Sequence, residues 1–370
     1  MRSKGVEQMV ENMTDEVSRM PQLDLYGDEK MTAAVDQVEL GTTVLEVSNL
    51  CVDFKTEHGW SRVVDNVSLL VRRGETLGLV GESGSGKTVT SLAIMGLLTG
   101  PRVRITGSVL LEGRELIGLS NREMNALRGK TVGMIFQEPR RSLNPAFTVG
   151  DQIAEIVRRH KEDISRKDAW DRAVEMLELV GIPDPAKRAF EYPHQFSGGM
   201  CQRVMLAMAV ACEPVVLIAD EPTTALDVTV QAQVLELLSE LQERMGLGVL
   251  FITHDLGVVA QTCDRVAVLY GGQVMETTDG EELFYNPEHP YTEGLLASTP
   301  DAQARAERLY AIPGTVPPAW DWPEGCRFHP RCKYSLEGQC DAGAVSLTGP
   351  TSHQVRCVRS SEFSLEGIKE

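Results

Sequence analysis

Apolar and polar residues change rhythm three times along this 370-residue chain. Up to about residue 43 they follow no sustained period, and the stretch is polar and acidic with little to bury. It reads as a poorly ordered extension. From Val44 strand-length segments begin: Val44–Val47, Leu50–Phe54, and Val67–Val71, the last closed by a turn at Arg73 and Gly74. Leu77–Val80 is a short apolar run leading into a glycine-rich loop and then a helical pattern over Val89–Leu98. From Ser165 to Val180, residues Ala169, Ala173, Val174, Leu177 and Val180 share one side of a helix, which Gly181 and Pro183 end. Two wholly apolar runs follow, Val215–Ala219 and Val249–Thr253, with a helix over Thr229–Arg244 between them. Such runs are expected of central parallel strands covered by helices on both faces. After about Leu283, prolines from Pro287 to Pro330 punctuate a segment with little helical period. The pattern predicts an α/β protein with an antiparallel β portion near its start. It divides into an extension (1–43), a main domain (44–283) and a small loop-rich C-terminal domain (284–370).

Composition narrows the function classes. A formal net charge of -17 at pH 7 argues against general affinity for nucleic acid, which needs clustered Lys and Arg. No segment reaches the roughly 20 unbroken apolar residues that span a bilayer. The most apolar stretch, Val204–Ala219, is interrupted by Glu213 and Pro214, and the first residues lack a signal peptide's basic start and apolar core. A cytoplasmic protein, able to dock on a membrane protein, is the expectation. Of the eight cysteines, Cys51, Cys201, Cys212 and Cys263 sit in or beside apolar runs, as reduced core thiols do. Cys326, Cys332, Cys340 and Cys357 crowd near the C-terminus and need a separate explanation.

The chemistry begins at Gly81-Glu82-Ser83-Gly84-Ser85-Gly86-Lys87-Thr88, which satisfies the phosphate-loop pattern G-x-x-x-x-G-K-[ST]. Its glycines let backbone N–H groups turn inward around phosphates, and the following helix offers its N-terminus to the anion. Lys87 is placed to reach the terminal phosphates and Thr88 to ligand magnesium. Asp220 ends the apolar strand 215–219, where a carboxylate can hold magnesium, and Glu221 can aim at an attacking water. Adjacent acids at the edge of an apolar core must be solvated or paired, and a cap for the next segment is the plainer alternative. His254 closes the next apolar strand and should lie beside Glu221 if the two strands are neighbours. These parts define an NTPase. A second phosphate-binding element, Ser197-Gly198-Gly199 at a helix start, has no evident nucleotide of its own.

Taken together, the phosphate loop, Gln137, Ser197–Gly199, Asp220-Glu221, Ala225-Leu226-Asp227 and His254 resemble the ATP-binding cassette (ABC) ATPases in order and approximate spacing, over about Val44–Leu283. The resemblance implies a P-loop NTPase cassette with a parallel-sheet core, an antiparallel β subdomain and a helical subdomain. It also implies that the Ser-Gly-Gly segment of one subunit caps the ATP held by another, in a head-to-tail dimer. By that likeness ATP is contacted by Gly81–Thr88, Thr90, Ser197, Gly198, Gly199 and Asp227, and Gln137 senses magnesium and contacts the membrane subunit. Magnesium falls to Thr88, Gln137 and Asp220, and catalysis to Glu221, His254, Lys87 and Gln137. Phe54 stands where the family stacks an aromatic on adenine, with Trp60 a nearby competitor.

Longer strings are similar to the oligopeptide, dipeptide and nickel importer branch. They include Phe136-Gln137-Glu138-Pro139, Tyr192-Pro193-His194-Gln195-Phe196-Ser197-Gly198-Gly199-Met200, His289-Pro290-Tyr291-Thr292 and Ile312-Pro313-Gly314. Cys201 departs from the Arg that this branch usually carries after Met200. The branch implies a second cassette subunit, usually a paralogue, two membrane permeases and, indirectly, an extracytoplasmic solute-binding protein. It places the chain peripherally on the cytoplasmic face of the cell membrane and leaves the cargo, peptide or nickel or another solute, open. The four late cysteines suit tetrahedral zinc or an iron–sulfur cluster, and the branch's own cysteine pattern implies a [4Fe–4S] cluster with zinc as the alternative. Cassettes of chromosome maintenance carry long coiled coils and those of translation carry two cassettes per chain; neither feature occurs in this sequence.

Overall fold

The computed structural model describes residues 40–161, 163–224, 226–299 and 311–368. Most of the N-terminal extension and Ala225 lie outside these described residues. Two sheets organise the chain. The first is antiparallel, in the order β2-β1-β4-β5, from β1 (Thr43–Thr56), β2 (Gly59–Arg72), β4 (Val103–Leu111) and β5 (Arg114–Glu115). The two short strands expected over 44–54 are one continuous strand with an irregular register between Val47 and Leu50. Asn49 takes a left-handed backbone there (φ 50), which shifts the alternation and hides the continuity from a period-2 reading.

The second sheet has seven strands in the order β11-β10-β9-β3-β8-β7-β6. Its parallel centre is β3 (Thr76–Val80), β6 (Val132–Ile135), β7 (Val216–Asp220), β8 (Gly248–Thr253) and β9 (Arg265–Tyr270). Strands β7 and β8 are buried along their whole length. Their side chains nonetheless alternate between two cores. Val216, Ile218, Leu250 and Ile252 pack with the antiparallel sheet, whereas Leu217, Ala219, Val249 and Phe251 pack with the helical layer. Each fully buried Val, Leu, Ile or Phe side chain among these contributes roughly 1.5–3 kcal/mol. Both faces are covered, so the chain end of each strand is the exposed feature, and that end carries the chemistry.

The helical layer holds α2 (Val149–His160), α3 (Arg166–Leu179) and α4 (Gly198–Val210), preceded in the chain by α1 (Lys87–Ile94) and followed by α5 (Val228–Met245). Side chains of Thr148, Ser165, Ser197 and Asp227 cap α2, α3, α4 and α5 by accepting backbone N–H bonds.

The C-terminal segment is built onto the second sheet. Strand β10 (Gln273–Asp279) runs antiparallel to β9, and β11 (His353–Val355), from near the end of the chain, pairs with β10. Buried Glu276 of β10 gathers bonds from the backbone N–H groups of Glu288 (2.7 Å) and His289 (3.0 Å), Thr292 Oγ1 (2.5 Å) and His353 Nε2 (2.8 Å). The region read as loop-rich also contains a helix, α6 (Pro290–Ala297). Pro290 sits at its first turn, where no intrahelical N–H is needed, and His289 caps it.

Candidate active site

Strand β3 delivers the chain to Gly81, where a methyl group would collide with the Leu269 carbonyl oxygen. Gly86 (φ 107) turns the loop into α1 through a left-handed conformation that favours glycine. Within this turn Lys87 is buried and curls back, its Nζ donating to the carbonyls of Gly81 (2.7 Å) and Glu82 (3.0 Å). Burial lowers the Lys87 pKa, opposed by the charges of Glu221, Asp220 and Glu82. Ser85 Oγ is buried with no hydrogen-bond partner among the described residues. An orphaned hydroxyl, an ammonium and a turn of backbone amides make a donor set that fits a polyphosphate.

Beyond the loop, Thr88 Oγ1 lies 3.4 Å from Asp220 Oδ1. Ser91, one turn along α1, places its hydroxyl 3.3 Å from Asp220 Oδ2. Burial raises the Asp220 pKa; the bonds from Thr88 and Ser91 oppose this, and the charge of Glu221 adds to it. A hard divalent cation beside these oxygens would remove that penalty, so hydroxyl and carboxylate together fit magnesium.

Glu221 is the centre of the constellation. Its backbone N–H donates to Ile252 O (2.8 Å), and its φ of 48 holds it in the left-handed region, uncommon for a residue with a side chain. The carboxylate receives Gln137 Nε2 (2.8 Å) and Thr224 Oγ1 (2.9 Å), with His254 Nδ1 at 3.1 Å. Because β7 and β8 are adjacent in the sheet, His254 reaches Glu221 from the end of the next strand. Burial works to raise the Glu221 pKa, but the bonds from Thr224 and His254, with the charges of His254 and Lys87, outweigh it and hold the group below the ordinary carboxylate range. An ionised carboxylate of this kind is a hydrogen-bond acceptor.

Other expected residues are placed as follows. Thr90 is fully buried and its hydroxyl donates to Gly86 O (3.0 Å). Phe54 is half-buried on β1 against the core, while exposed Trp60 lies under the Arg104 guanidinium at 3.6 Å. Ser197 is exposed at the start of α4, its hydroxyl accepting from Met200 N–H (3.2 Å). A methyl on Gly199 would collide with Val230, just past Asp227, the cap of α5. Sequence reasoning missed Ser91 and Thr224, and the spacing i, i+3 from Thr88 and from Glu221 was the available signal. It also missed Tyr291 and Arg331, which reach Glu82 from the C-terminal segment.

The expected cysteine cluster is corrected. Cys326, Cys332, Cys340 and Cys357 line one cavity with His289, Phe328 and Phe363. Among the described residues, however, no group of three or more His, Cys, Asp or Glu side chains is placed to hold a metal ion, which overturns both the [4Fe–4S] cluster and zinc. Burial pushes the Cys326 and Cys332 thiols up to about 11 and raises Cys357. Hydrogen bonds and rings hold the segment instead. Arg356 donates to Val274 O (2.8 Å) and Val345 O (2.7 Å), and Phe328 packs 5.2 Å from both Tyr270 and Tyr291.

Comparison with known proteins agrees with this geometry. Residues 64–224 match the ABC transporter family, and residues 275–340 match the oligopeptide/dipeptide transporter C-terminal region. The chain is 53% identical to the oligopeptide transport ATP-binding protein OppD of Bacillus subtilis, over 80% of this chain and 83% of that protein. It is 49% identical to the dipeptide transport ATP-binding protein DppD of Escherichia coli, over 82% of this chain and 92% of that protein. Among solved structures, the dimeric cassette MJ0796 bound to ADP and Pi superposes with a TM-score of 0.57 at 28% identity, covering 64% of this chain and 98% of that one. With a phosphate loop, a buried aspartate and a triply bonded glutamate at the strand ends, and relatives of this identity along most of its length, the chain belongs to the ABC-transporter ATP-binding subunits related to the oligopeptide and dipeptide importers, and it is an ATPase.

Proposed function

We propose that this chain energises import of di- or oligopeptides, by hydrolysing ATP at an interface with a second cassette subunit and moving two membrane permeases. The observation that carries this reading is the asymmetry of its two phosphate-binding elements. The loop 81–88 is joined to Asp220 and Glu221 through Thr88 and Lys87, whereas Ser197–Gly199 begins a helix in another layer. Magnesium would be held by Thr88 and Asp220, with Gln137 close by, and it would supply charge neutralisation at the phosphates. Lys87 leaves the two loop carbonyls to meet the terminal phosphates. Glu221, oriented by His254, Gln137 and Thr224, positions water for in-line attack. Ser197, Gly198, Gly199 and Asp227 serve the partner's nucleotide, and an aromatic at Phe54 or Trp60 stacks on the base.

No helix among the described residues is long and apolar enough to cross a membrane. Peripheral attachment at the cytoplasmic face, through permeases, is supported by aromatics left exposed on the helical layer. Phe147 and Phe190 are 53% and 64% exposed, and backbone bonds from Val149 to Glu191 and from Gly150 to Ala189 bring their segments together. An indirect partner would be an extracytoplasmic binding protein. The working division is an extension (1–43), a cassette (44–283) and a C-terminal region (284–370). The test is ATP hydrolysis by the assembled transporter in lipid nanodiscs. A peptide-loaded binding protein should stimulate turnover several-fold, and stimulation by a nickel-loaded protein but not by peptide would refute the cargo.

A further inference from the structure

Glu82, the second residue of the phosphate loop, is held at three points. Its backbone N–H donates to Tyr291 Oη (2.8 Å), and its carbonyl receives Lys87 Nζ (3.0 Å) and Ser85 N–H (3.2 Å). Its carboxylate is gripped by both arms of the Arg331 guanidinium, Nη1 at 2.6 Å and Nη2 at 3.0 Å. Two of those holders, Tyr291 and Arg331, come from the C-terminal segment, 209 and 249 residues away in sequence.

Arg331 is itself fixed. Its side chain is 5% exposed, its Nε donates to Pro313 O (2.7 Å), and its Nη2 lies 3.3 Å from the carbonyls of Ile312 and Gly314. A fork locked on both sides sets the direction of whatever carboxylate it holds. The consequence passes to Lys87 because that ammonium shares the Glu82 carbonyl. Glu82 also places a negative charge within the loop, and a buried guanidinium beside it cancels the repulsion that a polyphosphate would feel.

We propose that Arg331 is a positioning residue of the nucleotide site, whose grip on Glu82 shapes the phosphate loop and makes ATP binding depend on the C-terminal segment. The inference rests on the nucleotide reading above. It predicts a charge-specific coupling that a purely structural tail would lack. The Arg331→Ala chain leaves Glu82 unpaired, whereas Arg331→Ala with Glu82→Gln leaves no net charge at the junction.

The experiment measures affinity of the full chain for a fluorescent ATP analogue with magnesium, alongside thermal unfolding and the KM and kcat of the assembled transporter. Lys87→Ala serves as the control for the nucleotide reading: if wild type and this variant bind alike, that reading fails rather than the coupling. Arg331→Ala should weaken binding about tenfold and raise KM for ATP similarly with little change in kcat, a loss of about 1.4 kcal/mol. The double variant should recover to within about threefold of wild type. Wild-type affinity in folded Arg331→Ala, or a double variant as weak as the single, would overturn the proposal. Should Arg331→Ala not fold, Arg331→Lys keeps the charge without the fork and should bind several-fold more weakly. Wild-type affinity and KM in that variant would equally overturn it.

Discussion

The two phosphate-binding elements of this chain are built in opposite ways. At the loop 81–88, Gly81, Ser85, Gly86 and Lys87 are buried, and the lysine is already engaged by carbonyls of its own loop. At 197–199, Ser197 is exposed and caps α4, its hydroxyl accepting the Met200 N–H (3.2 Å). The first element is finished by its own sequence and by residues reaching it from β7, α6 and the Arg331 loop. The second is an exposed helix start capped by its own serine. Under the function proposed above, the second element serves the nucleotide of another cassette.

That contrast gives an ordered set of expectations. The largest effect belongs to the finished element. Lys87→Ala should abolish detectable ATP binding by the chain itself and lower hydrolysis by roughly 10³-fold or more, as filter binding and phosphate release would show. At the other element, Gly199→Val drives a side chain into Val230 and spoils the approach to the helix end. It should leave ATP affinity of the chain near wild type while turnover of the assembled transporter falls by roughly 10²-fold. Loss of affinity in that variant would break the distinction between the two elements.

The placement of these residues was legible in the sequence where the signal is local. A strand, a glycine-rich turn and a lysine at fixed spacing could be read without the fold, as could the acids at the end of an apolar run. Strand adjacency between β7 and β8 then brought His254 to Glu221 as its place in the chain suggested. What could not be read is long-range. Nothing near Glu82 in sequence announces Arg331 or Tyr291, and the register shift at Asn49 masked a single strand as two. Four late cysteines suggested a metal by their number and by the resemblance to the importer branch, but spacing carries no information about how the side chains are aimed. In the folded chain they line one cavity, Cys340 buried and the other three half-buried, and the surrounding hydrogen bonds secure the segment.

A smaller effect concerns the support behind the loop. His289 is buried and accepts the Tyr291 N–H at Nδ1 (3.0 Å), and burial pushes its pKa down to about 4, opposed by the charge of Glu276 and assisted by that of Arg356. Above pH ~6.5 the ring is neutral in both folded and unfolded chains. As pH falls below that, the unfolded chain takes up a proton that the folded chain refuses, so stability declines until about pH 4. The total loss is about 3 kcal/mol, at about 1.4 kcal/mol per pH unit. Denaturant unfolding of wild type and His289→Asn across this range should show the slope in the first and a flatter profile in the second.

The smallest expected effect is at Ser91. Ser91→Ala removes one of two hydroxyls on Asp220 and should slow turnover only several-fold, because Thr88 remains. A loss as large as that of Lys87→Ala would mean that Ser91 belongs to the nucleotide contacts themselves.

The central claim is that Glu221 performs the hydrolytic step while the loop 81–88 binds ATP independently of it. The direct measurement is ATP binding and phosphate release by the assembled transporter carrying Glu221→Gln. The amide keeps the shape but accepts no proton, so ATP should be retained with near wild-type affinity while phosphate release falls by roughly 10²–10⁴-fold. Phosphate release at the wild-type rate, or loss of ATP binding together with hydrolysis, would contradict the account.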